Sequence, residues 1–407
     1  MGWLADRIVE WQQVHGRNDL PWQNTRDPYR IWVSEIMLQQ TQVSAVMRYY
    51  RDFLARFPDV ATLASAPDGD VMAAWSGLGY YSRARNLHAC ARCVMDQHGG
   101  KFPTSAEQLQ ALPGIGRSTA AAIAAFAFGE RAAILDGNVK RVFCRVFGID
   151  GVPDSSQTLR QLWVIAQQEL PDRALERYTQ GLMDLGATLC TRSRPRCVDC
   201  PVSERCVAYK HERTTELPAR KRRREPQRRS TTMFLLRRGE EVLLERRPAT
   251  GIWGGLWSLP QADVPDGLDI AALGLQVRRQ TELPGFEHAF THFRLWIQPV
   301  LCEVGALSGN RVAEPVGSLW LNLAEVDTAA LPAPVKVLLR QVRDGAGSSA
   351  TARGAVAGTD ERSPGEPRDQ AVPSAFALPS RGSAGTRKDG SRPSSRTRSG
   401  KARRSSG

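Results

Sequence analysis

Leu112-Pro113-Gly114-Ile115-Gly116-Arg117-Ser118-Thr119-Ala120, continuing as an alanine-rich run to Phe128, decides how this chain folds. Two glycines two residues apart at the start of a helix let the backbone turn tightly and point several N–H groups outward. With the positive end of the helix they make a seat for a phosphate, while Leu112 and Ile115 anchor the turn in the core. This is the pattern of a helix–hairpin–helix, which holds a DNA backbone without reading bases; an ordinary glycine-containing turn between helices is the plainer alternative.

Outward from that turn, residues 1–212 read as nearly all helical. Apolar positions recur at helical spacing, as in Ile31-Trp32, Ile36, Leu38, Val43 and Val46, between breaks such as Pro67-Asp68-Gly69 and His98-Gly99-Gly100. Residues 213–230 lack this periodicity and are expected to be a solvated basic linker. From Thr231 the period shortens toward two, in Thr232–Leu236, Glu241–Glu245 and Phe293–Ile297, which predicts an α+β domain over 231–343. Residues 344–407 are Ser, Gly, Arg and Pro with few large apolar side chains and are expected to be disordered. The expected architecture is thus multi-domain: an all-α core, a smaller α+β domain and a tail.

Composition narrows the function classes. The chain has 407 residues, 42% hydrophobic and 24% charged, enough for two or three globular domains. Its longest apolar run, Ala120 to Phe128, has nine residues, against the roughly 20 of a membrane-spanning helix. The N-terminus places Asp6, Glu10 and His15 among Trp3, Leu4, Ile8, Val9 and Trp11, an amphipathic helix rather than a signal peptide. A cytoplasmic location is therefore expected. Of the net charge of +13, twelve charges fall in Leu217–Ser230 and Asp344–Gly407. The expected folded parts are nearly neutral and must be judged on their motifs.

Four of the eight cysteines, Cys190, Cys197, Cys200 and Cys206, crowd into seventeen residues with C-x6-C-x2-C-x5-C spacing. Such clustering points to metal, and four thiolates suit either a 4Fe–4S cluster or tetrahedral zinc. Arg192, Arg194 and Arg196 in the first loop suggest phosphate contact beside a structural metal. Cys90-Ala91-Arg92-Cys93 reads as helix packing, and Cys144 and Cys302 as core.

Glu35 sits among Ile31, Trp32 and Leu38 on one helical face, where desolvation is expected to keep it protonated near neutrality. Asp136, in Leu135-Asp136-Gly137-Asn138-Val139, precedes a helical run and is placed to cap it, where backbone N–H groups favour the ionised carboxylate. Two carboxyl groups pushed in opposite directions would supply a proton donor and a fixed anion, the division that glycosidic cleavage requires. Leu78, Gly79 and Tyr80 lie in a glycine turn followed by Arg83 and Arg85, where a tyrosine could wedge between bases.

Taken in order, the hairpin turn, Leu-Asp-Gly-Asn-Val, the cysteine spacing and Ser34-Glu35-Ile36-Met37-Leu38-Gln39-Gln40-Thr41-Gln42 resemble the MutY-type adenine DNA glycosylases of the endonuclease III superfamily, over nearly all of residues 1–340. The resemblance implies a 4Fe–4S cluster and base excision repair of double-stranded DNA, removing adenine opposite 8-oxoguanine or guanine, by a monomer acting on bacterial nucleoid DNA. It implies that Glu35 protonates adenine and that Asp136 stabilises or captures the oxocarbenium-like sugar. Gln40 and Tyr80 would fill the stack around the oxidised guanine, Trp22 and Gln180 would border the adenine pocket, and Thr41, Leu78, Gly79, Gly114, Gly116 and Ser118 would be among the other residues that contact the DNA. Lyases of the superfamily carry a lysine nucleophile where this chain has Ser118, so base removal without efficient strand cleavage is expected. The second domain resembles a Nudix domain, with no G-x5-E-x7-R-E-x2-E-E stretch for magnesium. Phe290-Thr291-His292 matches a Phe-Ser-His element that senses 8-oxoguanine, with Thr for Ser. A bifunctional pyrimidine-lesion glycosylase and a catalytically inert mismatch binder are the competing readings.

Overall fold

In the computed structural model the described residues are 2–345, apart from 222–224, 249, 265–266, 291 and 307–316. The expected disordered tail and the candidate residue Thr291 lie outside them, except for Asp344 and Gly345. Residues Met1–Ser349 form one unit.

The first half of that unit is helical: α1 (Trp3–His15), α2 (Pro28–Leu38), α3 (Val43–Arg56), α4 (Val60–Ser65), α5 (Asp68–Ala74), α6 (Ser82–His98), α7 (Ala106–Gln110), α8 (Arg117–Ile123), α9 (Gly137–Val146), α10 (Ser156–Gln168), α11 (Leu175–Asp184) and α12 (Val207–Lys210). Several helices start where short polar side chains accept from the first free N–H groups. Asp27 accepts from Tyr29 N at 2.9 Å to open α2, Ser105 from Gln108 N at 3.2 Å to open α7, and Asp136 from Val139 N at 2.8 Å to open α9. Two stretches widen into π-helix, Ala124–Phe128 after α8 and Leu185–Leu189 after α11.

The second half is a mixed sheet of β1 (Gln227–Arg238), β2 (Glu241–Arg246), β3 (Trp257–Ser258), β4 (Gln261–Ala262), β5 (Leu275–Glu282), β6 (Phe286–Ala289), β7 (Phe293–Ala306) and β8 (Ser318–Asn322), closed by helix α13 (Ala333–Arg343). Its path is β3-β2-β1-β7-β5, with β1 and β7 parallel from Gln227↔Phe293 to Arg237↔Glu303. Alternation along β1 sends Met233 and Leu235 to the face covered by Leu338 and Leu339 of α13, and Phe234 and Leu236 to the opposite face with Val300 and Cys302. The hydrophobic cluster under α13 runs on without a break into Trp32, Trp75 and Leu87 of the helical half. Polar ties cross the same seam, Ser76 Oγ donating to Leu331 O (3.1 Å) and Arg85 Nη1 to Gly254 O (2.5 Å).

The expected linker is solvent-exposed at residues 220–221 and 225–230, but its two ends are structured. Leu217 is only 2% exposed, and its carbonyl accepts from the buried Arg145 guanidinium at 2.8 Å. Residues Gln227–Ser230 are already strand, in register with Phe293–Trp296. The arginine-rich composition hid both, because the partners that fix this segment are remote in sequence.

Candidate active site

Glu35 lies on the last turns of α2, which buries Ile31, Trp32 and Ile36 around it. The same turn faces a cleft of about 670 Å³ walled by Gln12, Trp22, Ile31, Glu35, Phe126 and Gln180, a size suited to a nucleoside. Burial pushes the Glu35 carboxyl up to about 7, and the nearby charge of Asp136 adds to the rise. The upward direction is the one expected from its apolar neighbours in sequence.

Asp136 is held from both sides. Its carboxylate accepts from Val139 N at 2.8 Å and from Asn138 Nδ2 at 3.4 Å. The residue before it, Leu135, donates its N–H to Ser118 Oγ at 2.9 Å. Arg141, one turn into α9, donates to Asn138 Oδ1 (2.8 Å), Gly186 O (2.7 Å) and Cys190 O (2.7 Å), so it braces the cap against the segment entering the cysteine loop. The expectation that the two acids shift in opposite directions does not hold. Burial raises Asp136 as well, while the Val139 and Asn138 amides and the Arg141 guanidinium work against that rise. A cap is legible from local sequence; the depth at which the fold buries it is not.

Trp22 is buried in the cleft wall, and Gln180 enters from α11. Gln180 Nε2 donates to Asp184 Oδ1 at 2.8 Å, and the wholly buried Asp184 also takes Arg17 Nε at 2.7 Å and Arg17 N at 2.9 Å. Sequence reading missed Arg17 and Asp184, which lie 167 residues apart and carry no local signal.

Gly114 has φ +75°, and a Cβ there would come within 2.6 Å of Asn86 Cβ, so the hairpin turn needs glycine both for its conformation and for its approach to α6. Gly116, extended and with open space around it, caps α8. The Ser118 hydroxyl is turned inward, to Leu135. Gln40 and Tyr80 are exposed, and both have left-handed backbones, φ 57° and 48°. Thr41, Leu78 and Gly79 gather on the Arg83 guanidinium between them. His292 is exposed in the turn joining β6 to β7, beside the stacked rings of Phe290 and Phe293, 4.4 Å apart.

Cys190, Cys197, Cys200 and Cys206 line one small cavity with Val142, Val146, Leu185 and Val202. Burial raises the thiols of Cys197, Cys200 and Cys206, Cys200 to about 12. Arg145 Nη1 lies 3.3 Å from Cys190 Sγ and donates to Thr191 O at 2.7 Å. Four soft donors around an apolar cavity, with a guanidinium to offset thiolate charge, fit a metal cluster chemically. Among the described residues, however, no three His, Cys, Asp or Glu side chains stand close enough to hold a single ion.

The fold and these sites define a class: residues 33–185 match the HhH-GPD superfamily of base excision DNA repair proteins, and residues 232–341 match the NUDIX domain. Within it, the chain belongs to the adenine DNA glycosylase family and is a DNA glycosylase. It is 32% identical to the adenine DNA glycosylase of Buchnera aphidicola (subsp. Schizaphis graminum) over 340 residues, covering 83% of this chain and 97% of that one. It is 34% identical to the Homo sapiens adenine DNA glycosylase over 400 residues, covering 82% of this chain and 72% of that one. A solved thermostable thymine-DNA glycosylase aligns at 31% identity and TM-score 0.47, over 51% of this chain and 95% of its own.

Proposed function

We propose that this glycosylase removes adenine mispaired with 8-oxoguanine or guanine by hydrolysis of the N-glycosidic bond, without efficient strand cleavage. The carrying observation is Glu35, pushed up to about 7 in the wall of a nucleoside-sized cleft. Adenine is an undamaged base and a poor leaving group, so its departure needs a proton on the ring, and Glu35 supplies it. Asp136 stabilises the cationic sugar or captures it. Extruding the base costs a few kcal/mol, offset by phosphates held at Gly114 and Gly116 and by Gln40 and Tyr80 filling the vacated stack, with Thr41, Leu78 and Gly79 bracing the turns that carry them. Trp22 and Gln180 border the extruded adenine. Thr291 and His292 sense the oxidised partner base, as the Phe-Thr-His element supports. Ser118 occupies the position of a lyase nucleophile but offers no amine.

Cys190, Cys197, Cys200 and Cys206 would hold a 4Fe–4S cluster, which supplies a structural clasp for the loop bearing Arg192, Arg194 and Arg196. The protein works as a monomer on double-stranded DNA at the nucleoid, in the cytoplasm; none of its helices among the described residues is long and apolar enough to cross a membrane. The test is single-turnover excision on duplexes with A:8-oxoguanine and A:G, by the native chain and by Glu35→Gln. Adenine release by the native chain and its loss in the variant, with duplex binding kept, is the expected result. Retained excision in Glu35→Gln sinks the proton-donor role, and rapid nicking at oxidised pyrimidines favours a bifunctional enzyme.

A further inference from the structure

Arg83 is 8% exposed and, among the described residues, has no carboxylate partner, an unusual state for a buried charge. Its guanidinium is instead spent on two turns. Nη1 donates to Ile36 O (2.9 Å), Met37 O (2.8 Å) and Gln39 O (2.7 Å), the free carbonyls at the negative end of α2. Nη2 donates to Thr41 Oγ1, Leu78 O and Gly79 O, each at 3.2 Å. The guanidinium also lies 5.3 Å from the Trp75 ring centre and 5.6 Å from that of Tyr80. One planar fork therefore fastens the turn carrying Gln40 to the turn carrying Tyr80, and reaches the Tyr80 ring itself. Both exposed residues are non-glycine positions with left-handed backbones, a conformation that persists where the surroundings over-determine it.

We propose that Arg83 is a positioning residue that locks the Gln40 turn and the Tyr80 turn into one rigid unit, so that the two side chains enter a duplex together rather than independently. This rests on the reading that both fill the stack around the mispair. Lysine offers a point charge with three donors and cannot span both turns. A clamp of this kind makes the two inserted residues energetically coupled, whereas a merely structural arginine leaves them independent.

The test is a double-mutant cycle on the full chain. Affinity is measured for a duplex with 8-oxoguanine opposite a 2′-fluoro adenosine, which resists cleavage, using Gln40→Ala, Tyr80→Ala and the double variant, with and without Arg83→Lys. With Arg83 present, the double variant is expected to bind at least about fivefold more tightly than the product of the single losses gives. In the R83K background the losses should multiply to within about twofold. Additive losses with Arg83 present, or equal non-additivity in R83K, overturns the clamp. Should R83K not fold, Thr41→Val, which removes one of the ties to the Gln40 turn, replaces it: reduced coupling supports the clamp and unchanged coupling overturns it. If the native chain binds this duplex no more tightly than undamaged DNA, the assigned function fails, not the clamp.

Discussion

The backbone N–H of Leu135 donates to the hydroxyl of Ser118 at 2.9 Å, tying the residue before Asp136 to the first turn of α8. The serine proposed to stand where a lyase carries its amine is thus also a brace for the proposed anion. Ser118→Ala leaves a buried N–H unpaired, a loss of about 1–3 kcal/mol in stability. If about 1.4 kcal/mol of positioning is lost in the transition state, excision slows about tenfold while duplex affinity holds. Single-turnover rates beside equilibrium binding separate the two.

Glu35 gives a pH signature. With its carboxyl raised from an ordinary 4.5 to about 7, excision is expected to fall about tenfold per pH unit above pH 7, and to fall again in acid where Asp136, itself raised by burial, takes up a proton. Stability moves with it: the folded state holds its proton more tightly than the unfolded state, so this residue erodes stability as pH rises from 4.5 to 7. The full cost above pH 7 is about 3 kcal/mol at most. Glu35→Gln should therefore melt higher than the native chain at pH 8 and the same at pH 4, while losing at least about a hundredfold in excision. A variant that melts lower at pH 8 contradicts the buried-acid account.

Asp136→Asn separates cap from charge. Asparagine caps as well as aspartate, so thermal stability should change by less than about 1 kcal/mol. Excision should drop by two orders of magnitude or more, the loss expected when a preorganised charge facing a cationic transition state is removed. Equal losses in both would show that the carboxylate serves only the helix.

The cysteine loop is testable without activity. Iron and acid-labile sulfide should accompany the purified native chain and be lost in Cys200→Ser; stoichiometric zinc instead would replace the cluster assignment. Arg145→Met removes donors to Leu217 O, Thr191 O and Arg192 O, and should cost at least about 2 kcal/mol in urea unfolding.

What the sequence made legible was what short range determines. Glu35 among Ile31, Trp32 and Leu38, the Asp136 cap, the Gly114 turn and the alternation in β1 all depend on neighbours within a turn or two. Asp184 with Arg17, and Arg83 with the ends of α2, depend on partners that only the tertiary fold supplies. The rise at Asp136 was missed for the same reason: its cap is local and its burial is not. Leu217 was hidden by basic neighbours, although it closes the core beneath Arg145.

The apolar interior shared by α13, the sheet face of Met233 and Leu235, and Trp32 and Trp75 has a thermodynamic corollary. Two halves that divide one closely packed interior between them stabilise each other, so loosening either is expected to lower the melting point of both. Severing the chain near residue 225 would lay a greasy scar on each fragment, and clumping rather than two soluble pieces is the expected fate.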